Sequence, residues 1–434
     1  MSRIAFITFG CKVNYAETIT LKQKLEVYNK IVNVDDHPEF VIINSCSVTN
    51  NADKENLQTI RRIYKNNNDI KFIITGCQAQ LHSNLLSSLP NVIGIFGSQD
   101  KEKIVDFIKN YSSDEKKVEV TDLRTNFEFH HAYALGDRTR CFLKIQDGCN
   151  YHCSYCATCL ARGNSRSDTI ESIIDDVKKI QQQGVKEIVL TGINIGDVGL
   201  INNKRVYNLY DLLKKILEVE DVPRLRISSI EVNLLTEEII NLAKENPRLV
   251  NHFHIPLQSG NNEILKSMRR RYTREEYARK ILYLNEKLEN CCIGCDVIVG
   301  YPGETEQHFK DTYDLLHDLP LTYFHVFPFS KREGTLAATY EDVDFNIKKE
   351  RVKILRDLSK QKKEAFYKKN VGNVVEVLFE HTKDKFGNMI GFSNNYIRVV
   401  HDYKEDFVNK LVKVEIIGID DENEVAKCRI VESL

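Results

Sequence analysis

The sequence predicts an α/β protein in three parts: an N-terminal doubly wound parallel α/β domain, a central (βα)6 partial barrel and a small OB-like β-barrel at the C-terminus. Three observations predict it. Short apolar runs alternate with amphipathic helical patterns over the first 110 residues; the alternation restarts near residue 140; and beyond Asn370 short strands are broken by turn residues. With 434 residues the chain has room for roughly two to four domains. The expected boundaries are 1–115, 135–368 and 370–434.

In the first part "RIAFITFG" (3–10), "FVIINS" (40–45), "IKFIITG" (70–76) and "VIGIFG" (92–97) read as buried strands. "ETITLKQKLEVYN", "KENLQTIRRIYKN" and "KEKIVDFIKNY" read as the helices between and after them, so the sheet should be parallel. Cys11, Cys46 and Cys77 directly follow the first three strands. In a doubly wound sheet the carboxyl ends of neighbouring strands share one edge, where ligands bind. Three thiols distant in sequence can therefore converge, although each alone also reads as a packed free cysteine.

A polar stretch, 112–140, links to the second part, where strand "RCFLKIQDG" (140–148) delivers the chain into "CNYHCSYC". Helices 168–183 and 208–219 and strands 186–192, 224–230, 251–257, 292–300 and 323–330 continue the alternation, so chemistry is expected at the carboxyl ends of strands. Helix 346–369 carries ten Lys/Arg against three Asp/Glu, which suits either a solvated face or a strip facing phosphate.

Bulk properties exclude several classes. Lys+Arg 61 against Asp+Glu 62 leaves no global field to steer the chain to nucleic acid or membrane, so any basic surface must be local. "MSRIAFITFGCKVN" fits a first buried strand rather than a signal peptide, and no stretch reaches transmembrane length, so the cytoplasm and no membrane contact are expected. There thiols stay reduced, and 12 cysteines point to metal, catalysis or burial rather than disulfides.

Cys149, Cys153 and Cys156 have the spacing C-x3-C-x2-C. Structural zinc wants four protein ligands, and His152 or Cys159 would have to supply the fourth. A four-iron cube held by three thiolates keeps one iron open for an outside molecule. "GCNYHCSYC" resembles the signature of the radical S-adenosyl-L-methionine (SAM) enzymes, which implies a partial TIM barrel, a 4Fe-4S cluster on Cys149, Cys153 and Cys156, and SAM chelated at the open iron. The same resemblance implies that one electron cleaves SAM to a 5'-deoxyadenosyl radical and puts Tyr155 near the adenine. With "TFGCKVN", "NSCSVTN" and "TGCQAQ" before the barrel and a small β-domain after it, the chain is similar to the methylthiotransferases, whose C-terminal part is a TRAM domain. That resemblance implies a second, auxiliary 4Fe-4S cluster on Cys11, Cys46 and Cys77, carrying the sulfur to be inserted.

The other barrel motifs are compatible with this. Gly192 and Asn194 could meet the methionyl end of SAM or form an Asx-type turn; Gln258 and Asp296 could bind ribose or amino groups; Glu231 could reach SAM or substrate, or cap the following helix. Arg162 and Arg166 read as ligands of phosphate or carboxylate or as surface charges, and "RRR" (269–271) as a basic helix end. Cys159 departs from the family's usual proline and reads as a stray ligand or a packed thiol. Cys291, Cys292 and Cys295 read as a third metal site or, in preference, as core cysteines, and Cys141 and Cys428 read as core cysteines likewise.

"GCKVNYAET" with "ISSIE" is similar to the branch acting on N6-threonylcarbamoyladenosine in tRNA. The isopentenyladenosine branch tends to read Gln-Met-Asn after the first cysteine, and the branch acting on a ribosomal-protein aspartate Pro-Lys-Asn. The implied reaction places a methylthio group at C2 of the modified adenine beside the anticodon. Expected partners are the tRNA anticodon stem-loop, met by the TRAM barrel and helix 346–369 with Tyr367, Phe392 and Tyr396 available for stacking, and an electron donor such as flavodoxin or ferredoxin. A monomer is expected. Arg162, Arg226 and Arg270 are candidates for the threonylcarbamoyl carboxylate. The rivals from other classes are a zinc-stabilised RNA-binding module and an electron-transfer protein.

Overall fold

The computed structural model describes residues 1–47, 50–112, 116–135 and 139–433. The N-terminal sheet contains β1 (Arg3–Thr8), β2 (Lys30–Ile31), β3 (Phe40–Ser45), β4 (Lys71–Gly76), β5 (Val92–Phe96) and β6 (Lys117–Glu119), all parallel in the order β2-β1-β3-β4-β5-β6. β3 is buried at every position because helices cover both faces. Val41 and Ile43 pack with Ile60 and Leu86 on one side, and Phe40 and Ile42 with Leu25 and Ile104 on the other, as the two-residue period of a strand requires. The strand order reverses between β1 and β3, which opens a crevice at their carboxyl ends.

The stretch 112–140 is more than a linker. It supplies β6 and β7 (Ala132–Tyr133), the latter antiparallel to the first barrel strand. Both are short edge strands, so they lack the apolar periodicity that reveals β3 or β4. Between them and the barrel, His131 bridges Asp176 at 2.6 Å and Asp168 at 2.7 Å.

The second part has β8 (Arg140–Lys144), β9 (Glu187–Thr191), a small hairpin β10 (Leu200–Ile201) and β11 (Lys204–Arg205), then β12 (Arg224–Ile227), β13 (His252–His254), β14 (Cys292–Val299) and β15 (Tyr323–Pro328). β8, β9 and β12 pair in parallel, as do β13, β14 and β15, and bridges Leu225↔Leu249 and Ser229↔His254 join the two sets. The result is a six-stranded partial barrel, with β7 rather than β15 on the free side of β8. One apolar core from Cys141 to Leu358 fills it.

Helix Phe345–Lys369 lies on β15, where Ser359 Oγ accepts from the Phe324 amide at 2.9 Å. Its ten basic residues divide: Lys348 and Arg351 are buried against Asp342 and Glu304, while Lys349, Lys353, Arg356 and Lys360 are exposed on one face at spacings of four, three and four. No helix among the described residues is long and apolar enough to cross a membrane.

The C-terminal part is a closed five-stranded barrel of β16 (Val374–Lys383), β17 (Met389–Ser393), β18 (Arg398–His401), β19 (Leu411–Asp420) and β20 (Val425–Ser433), in the order β16-β17-β18-β20-β19. Arg224 and Arg226 dock it on the central barrel. Both hold buried Glu187 (2.6–3.0 Å) and donate to the carbonyls of Phe392 at 2.9 Å and Ser393 at 3.1 Å respectively.

Candidate active site

The N-terminal thiols sit at the carboxyl ends of the adjacent strands β1, β3 and β4, beside the point where the strand order reverses. Cys11 caps helix Lys12–Glu26, Cys46 follows β3, and Cys77 opens helix Cys77–Leu81. The glycines before two of them make this possible. Gly10 (φ 95°) lies so close to Cys46 that an added Cβ would sit 2.7 Å from its sulfur, and one on Gly76 (φ 94°) would sit 2.4 Å from the Ser45 carbonyl. Cys11 is solvent-accessible yet ringed by protein, which pushes its thiol up, against the pull of the Arg162 guanidinium. Arg162 also feels Cys77.

The barrel trio lies in the loop after β8. Each sulfur receives an N–H: Cys149 from the Tyr151 amide at 3.4 Å, Cys153 from Arg270 Nη1 at 3.3 Å, and Cys156 from the Thr158 amide at 3.4 Å. Such donors suit sulfur that carries negative charge. Burial pushes the Cys156 thiol up to about 11, so a bound cation rather than solvent is needed to hold the thiolate. Cys159 hydrogen-bonds the Cys149 thiol.

The spacing of the thiols bears on what they hold. Zinc with bonds of about 2.3 Å in tetrahedral array would draw sulfurs to about 3.8 Å apart. Among the described residues only His254, Asp296 and His325 bring three ligand atoms all within 4.8 Å of one another. Neither cysteine trio is gathered so tightly among the described residues.

Cys77 and Cys156 line one cavity between the N-terminal domain and the barrel, with Tyr155, Gln258, Asp296 and Arg332. Its empty volume is about 910 Å³, part of it open to solvent. Arg332 donates to Ser47 Oγ and Asp53, both at 2.6 Å, tying the N-terminal domain to the barrel mouth. Gln258 has a positive φ of 66° as the chain turns out of the β13 region.

Asn194 is only 5% exposed, yet neither side-chain atom has a hydrogen-bond partner among the described residues. A buried amide left this way calls for a polar ligand. Its backbone N–H donates to Gln146 Oε1 at 2.8 Å, and a Cβ on neighbouring Gly192 would press on the same oxygen at 2.9 Å. Glu231 caps no helix. It pairs with Arg270, whose Nη1 also reaches the Tyr155 hydroxyl at 3.5 Å, and burial raises its pKa in spite of that pair.

The arginines correct the sequence reading. Arg162 and Arg166 are not surface charges; they are 0% and 1% exposed. Arg162 bonds Glu17 at 2.7 Å, Asp147 at 3.3 Å and Asn14, while Arg166 bonds Asp147 at 2.7 Å. Lys101 and Lys144 complete the network on Glu17, at 2.6 and 3.0 Å. Arg270 is likewise more than a helix end, since it contacts Cys153 and Glu231. Sequence reasoning missed Glu17, Lys144 and Asp147, and no local signal marks them. The core assignment of the other cysteines holds: burial pushes Cys141, Cys292 and Cys428 up to about 12, and Cys291 and Cys295 are buried too.

A second crevice of about 720 Å³ lies where all three parts meet, lined by Lys12, Arg140, Arg226, His252, Tyr323 and Tyr396 among others. Asp296 lines both spaces, with His254 Nε2 3.0 Å away. Burial would raise the Asp296 carboxyl, but the His254 hydrogen bond holds it below the usual range. Tyr367, by contrast, is core: its hydroxyl accepts from the Arg398 amide at 3.0 Å.

A parallel partial barrel with three thiols in the loop after its first strand defines a radical SAM enzyme. The chain matches the family model described as "Radical SAM superfamily" over residues 143–316 and that of "Uncharacterized protein family UPF0004" over 3–97. It is 39% identical to threonylcarbamoyladenosine tRNA methylthiotransferase MtaB of Bacillus subtilis (strain 168), covering 96% of this chain and 94% of that one. It is 35% identical to the protein of the same name from Aquifex aeolicus (95% and 100%), and 30% identical to tRNA-2-methylthio-N(6)-dimethylallyladenosine synthase of Staphylococcus aureus (94% and 81%). Among solved structures, the radical SAM methyltransferase TsrM from Kitasatospora setae has the same fold over 78% of this chain and 77% of that one, with TM-score 0.55 at 15% identity. The chain belongs to the radical SAM methylthiotransferase family, in its MtaB-like branch. Its cofactors are SAM, the radical SAM 4Fe-4S cluster and an additional cluster.

Proposed function

We propose that this enzyme inserts a methylthio group at C2 of N6-threonylcarbamoyladenosine next to the anticodon of tRNA. One observation carries the reading: a cysteine from each trio, Cys77 and Cys156, lines the same cavity. The relatives at 34–39% identity that are named for this activity favour the substrate.

Bound there, SAM and the two clusters supply hydrogen-atom abstraction and a carrier for sulfur. Cys149, Cys153 and Cys156 would hold one cluster, and Cys11, Cys46 and Cys77 the other. Tyr155 presents a flat apolar face for adenine, while Asn194, beside Gly192, offers its unpaired amide to the methionyl group. Glu231, braced by Arg270, takes the amino end. Gln258 and Asp296 bond ribose or the substrate base from the cavity wall. The C-terminal barrel would act as a TRAM domain, with the exposed strip Lys349, Lys353, Arg356 and Lys360 meeting phosphates. A monomer in the cytoplasm, fed electrons by a flavodoxin or ferredoxin, completes the reading.

Mass spectrometry of tRNA nucleosides from cells lacking the protein tests it. Threonylcarbamoyladenosine should lose its methylthio form and regain it on complementation. Loss of the methylthio group from isopentenyladenosine instead, or no change in either nucleoside, contradicts the proposal.

A further inference from the structure

Among the described residues, the exposed Lys12 lines the second crevice and its ammonium makes no hydrogen bond and no ion pair. The arginines around it are engaged. Arg140 bonds Glu380 at 3.0 Å; Arg226 shares Glu187 with Arg224 and also donates to the Ser393 and Asn394 carbonyls. Arg162, Arg270 and Arg332, also near the site, are engaged by Glu17 with Asp147, by Glu231 and by Asp53 respectively. Glu187 and Glu376 thus answer Arg224 and Arg226, and Glu380 answers Arg140, so among the described residues Lys12 is the lysine or arginine of the crevice that no carboxylate pairs with. The crevice's own acidic group, Asp296, is held by His254.

We propose that this crevice is the subsite for the acidic substituent on the substrate base, with the Lys12 ammonium pairing directly with that carboxylate. The inference rests on the function proposed above, in which the substituent is threonylcarbamoyl. Asp296 lines both spaces, so the crevice adjoins the cavity of Cys77 and Cys156, and on this proposal a base lying in that cavity would direct its N6 substituent toward it. Arg140 and Arg226 line the crevice from positions that their carboxylates fix, which leaves Lys12 to meet the anion. Part of the wall is rigid and flat, with His252 and Tyr396 stacked at 4.0 Å between ring centres. An uncharged prenyl substituent would strip water from Lys12 and return no partner, so the crevice selects against it. The shared chemistry is an anion, and an RNA phosphate is its other source.

Anticodon stem-loops carrying threonylcarbamoyladenosine as the free acid or as its methyl ester separate the sources. The wild-type enzyme, Lys12→Met and Lys12→Arg are compared by kcat/KM for methylthio product and by stem-loop Kd at two salt concentrations. Wild type should prefer acid over ester by tenfold or more, Lys12→Met should abolish that preference, and Lys12→Arg should retain most of it. If wild type treats acid and ester alike, the proposal is overturned without reference to any variant. If Lys12→Met weakens both substrates by the same factor and flattens the salt dependence, the partner is a phosphate and the proposal falls. Product from an isopentenyladenosine stem-loop but from neither threonylcarbamoyl one means that the substrate assignment itself has failed, and this inference with it.

Discussion

Glu17 is the residue on which the seam between the N-terminal domain and the barrel turns. Burial would raise its carboxyl, but Arg162, Lys101 and Lys144 hold it well below the usual range. Glu17→Gln leaves three buried cations without their shared anion and should cost about 3–5 kcal/mol in chemical denaturation; a change under about 1 kcal/mol would show that the network does not hold the seam. Asn194 is the opposite case. Its amide atoms have no partner among the described residues, so Asn194→Ala should cost less than about 1 kcal/mol of stability while weakening SAM binding roughly tenfold, read by calorimetry. The six thiols were legible because spacing and strand position both mark them. Arg162 was not, since its partner Glu17 lies 145 residues away on another domain. Lys12 stood in "GCKVN", at a position where the branches differ in wording, but only the assembled crevice gives it a role.

At the level of elements, the segment joining the first two domains carries a pH signature. His131 titrates above the ordinary histidine value, mainly through its hydrogen bond to Asp176, with burial opposing and Asp168 adding. An unfolded histidine titrates near 6.5, so this contribution is complete below about pH 6.5 and is lost as pH rises through the raised native value. The Tm difference between wild type and His131→Gln should therefore shrink from about pH 6 to 8; a difference that grows with pH contradicts the assignment. The long basic helix makes a separate prediction. Replacing Lys353, Arg356 and Lys360 by Ala should weaken tRNA binding at low salt and reduce the salt slope by roughly two to three, whereas a structural role would lower Tm and leave the slope intact. Strands with unbroken apolar runs, such as β3 and β4, were legible. β2, β6 and β7 were not, because two or three residues at a sheet edge have no period to read.

Across the whole molecule, the alternation of strand and helix foretold three parts, but not the surfaces on which they meet. Arg224 and Arg226 dock the C-terminal barrel through backbone carbonyls, which have no sequence signature. The same holds for the shared cavity, whose two cysteines are 79 residues apart. In the proposed function, its existence is what lets two thiol trios serve one active site. The most direct test is the iron, sulfide and zinc content of anaerobically reconstituted wild-type protein, a Cys11/Cys46/Cys77→Ala variant and a Cys149/Cys153/Cys156→Ala variant. The account predicts about eight irons per chain in the wild type and about four in each variant. Zinc in place of iron, or a variant that keeps the full iron content, would contradict it.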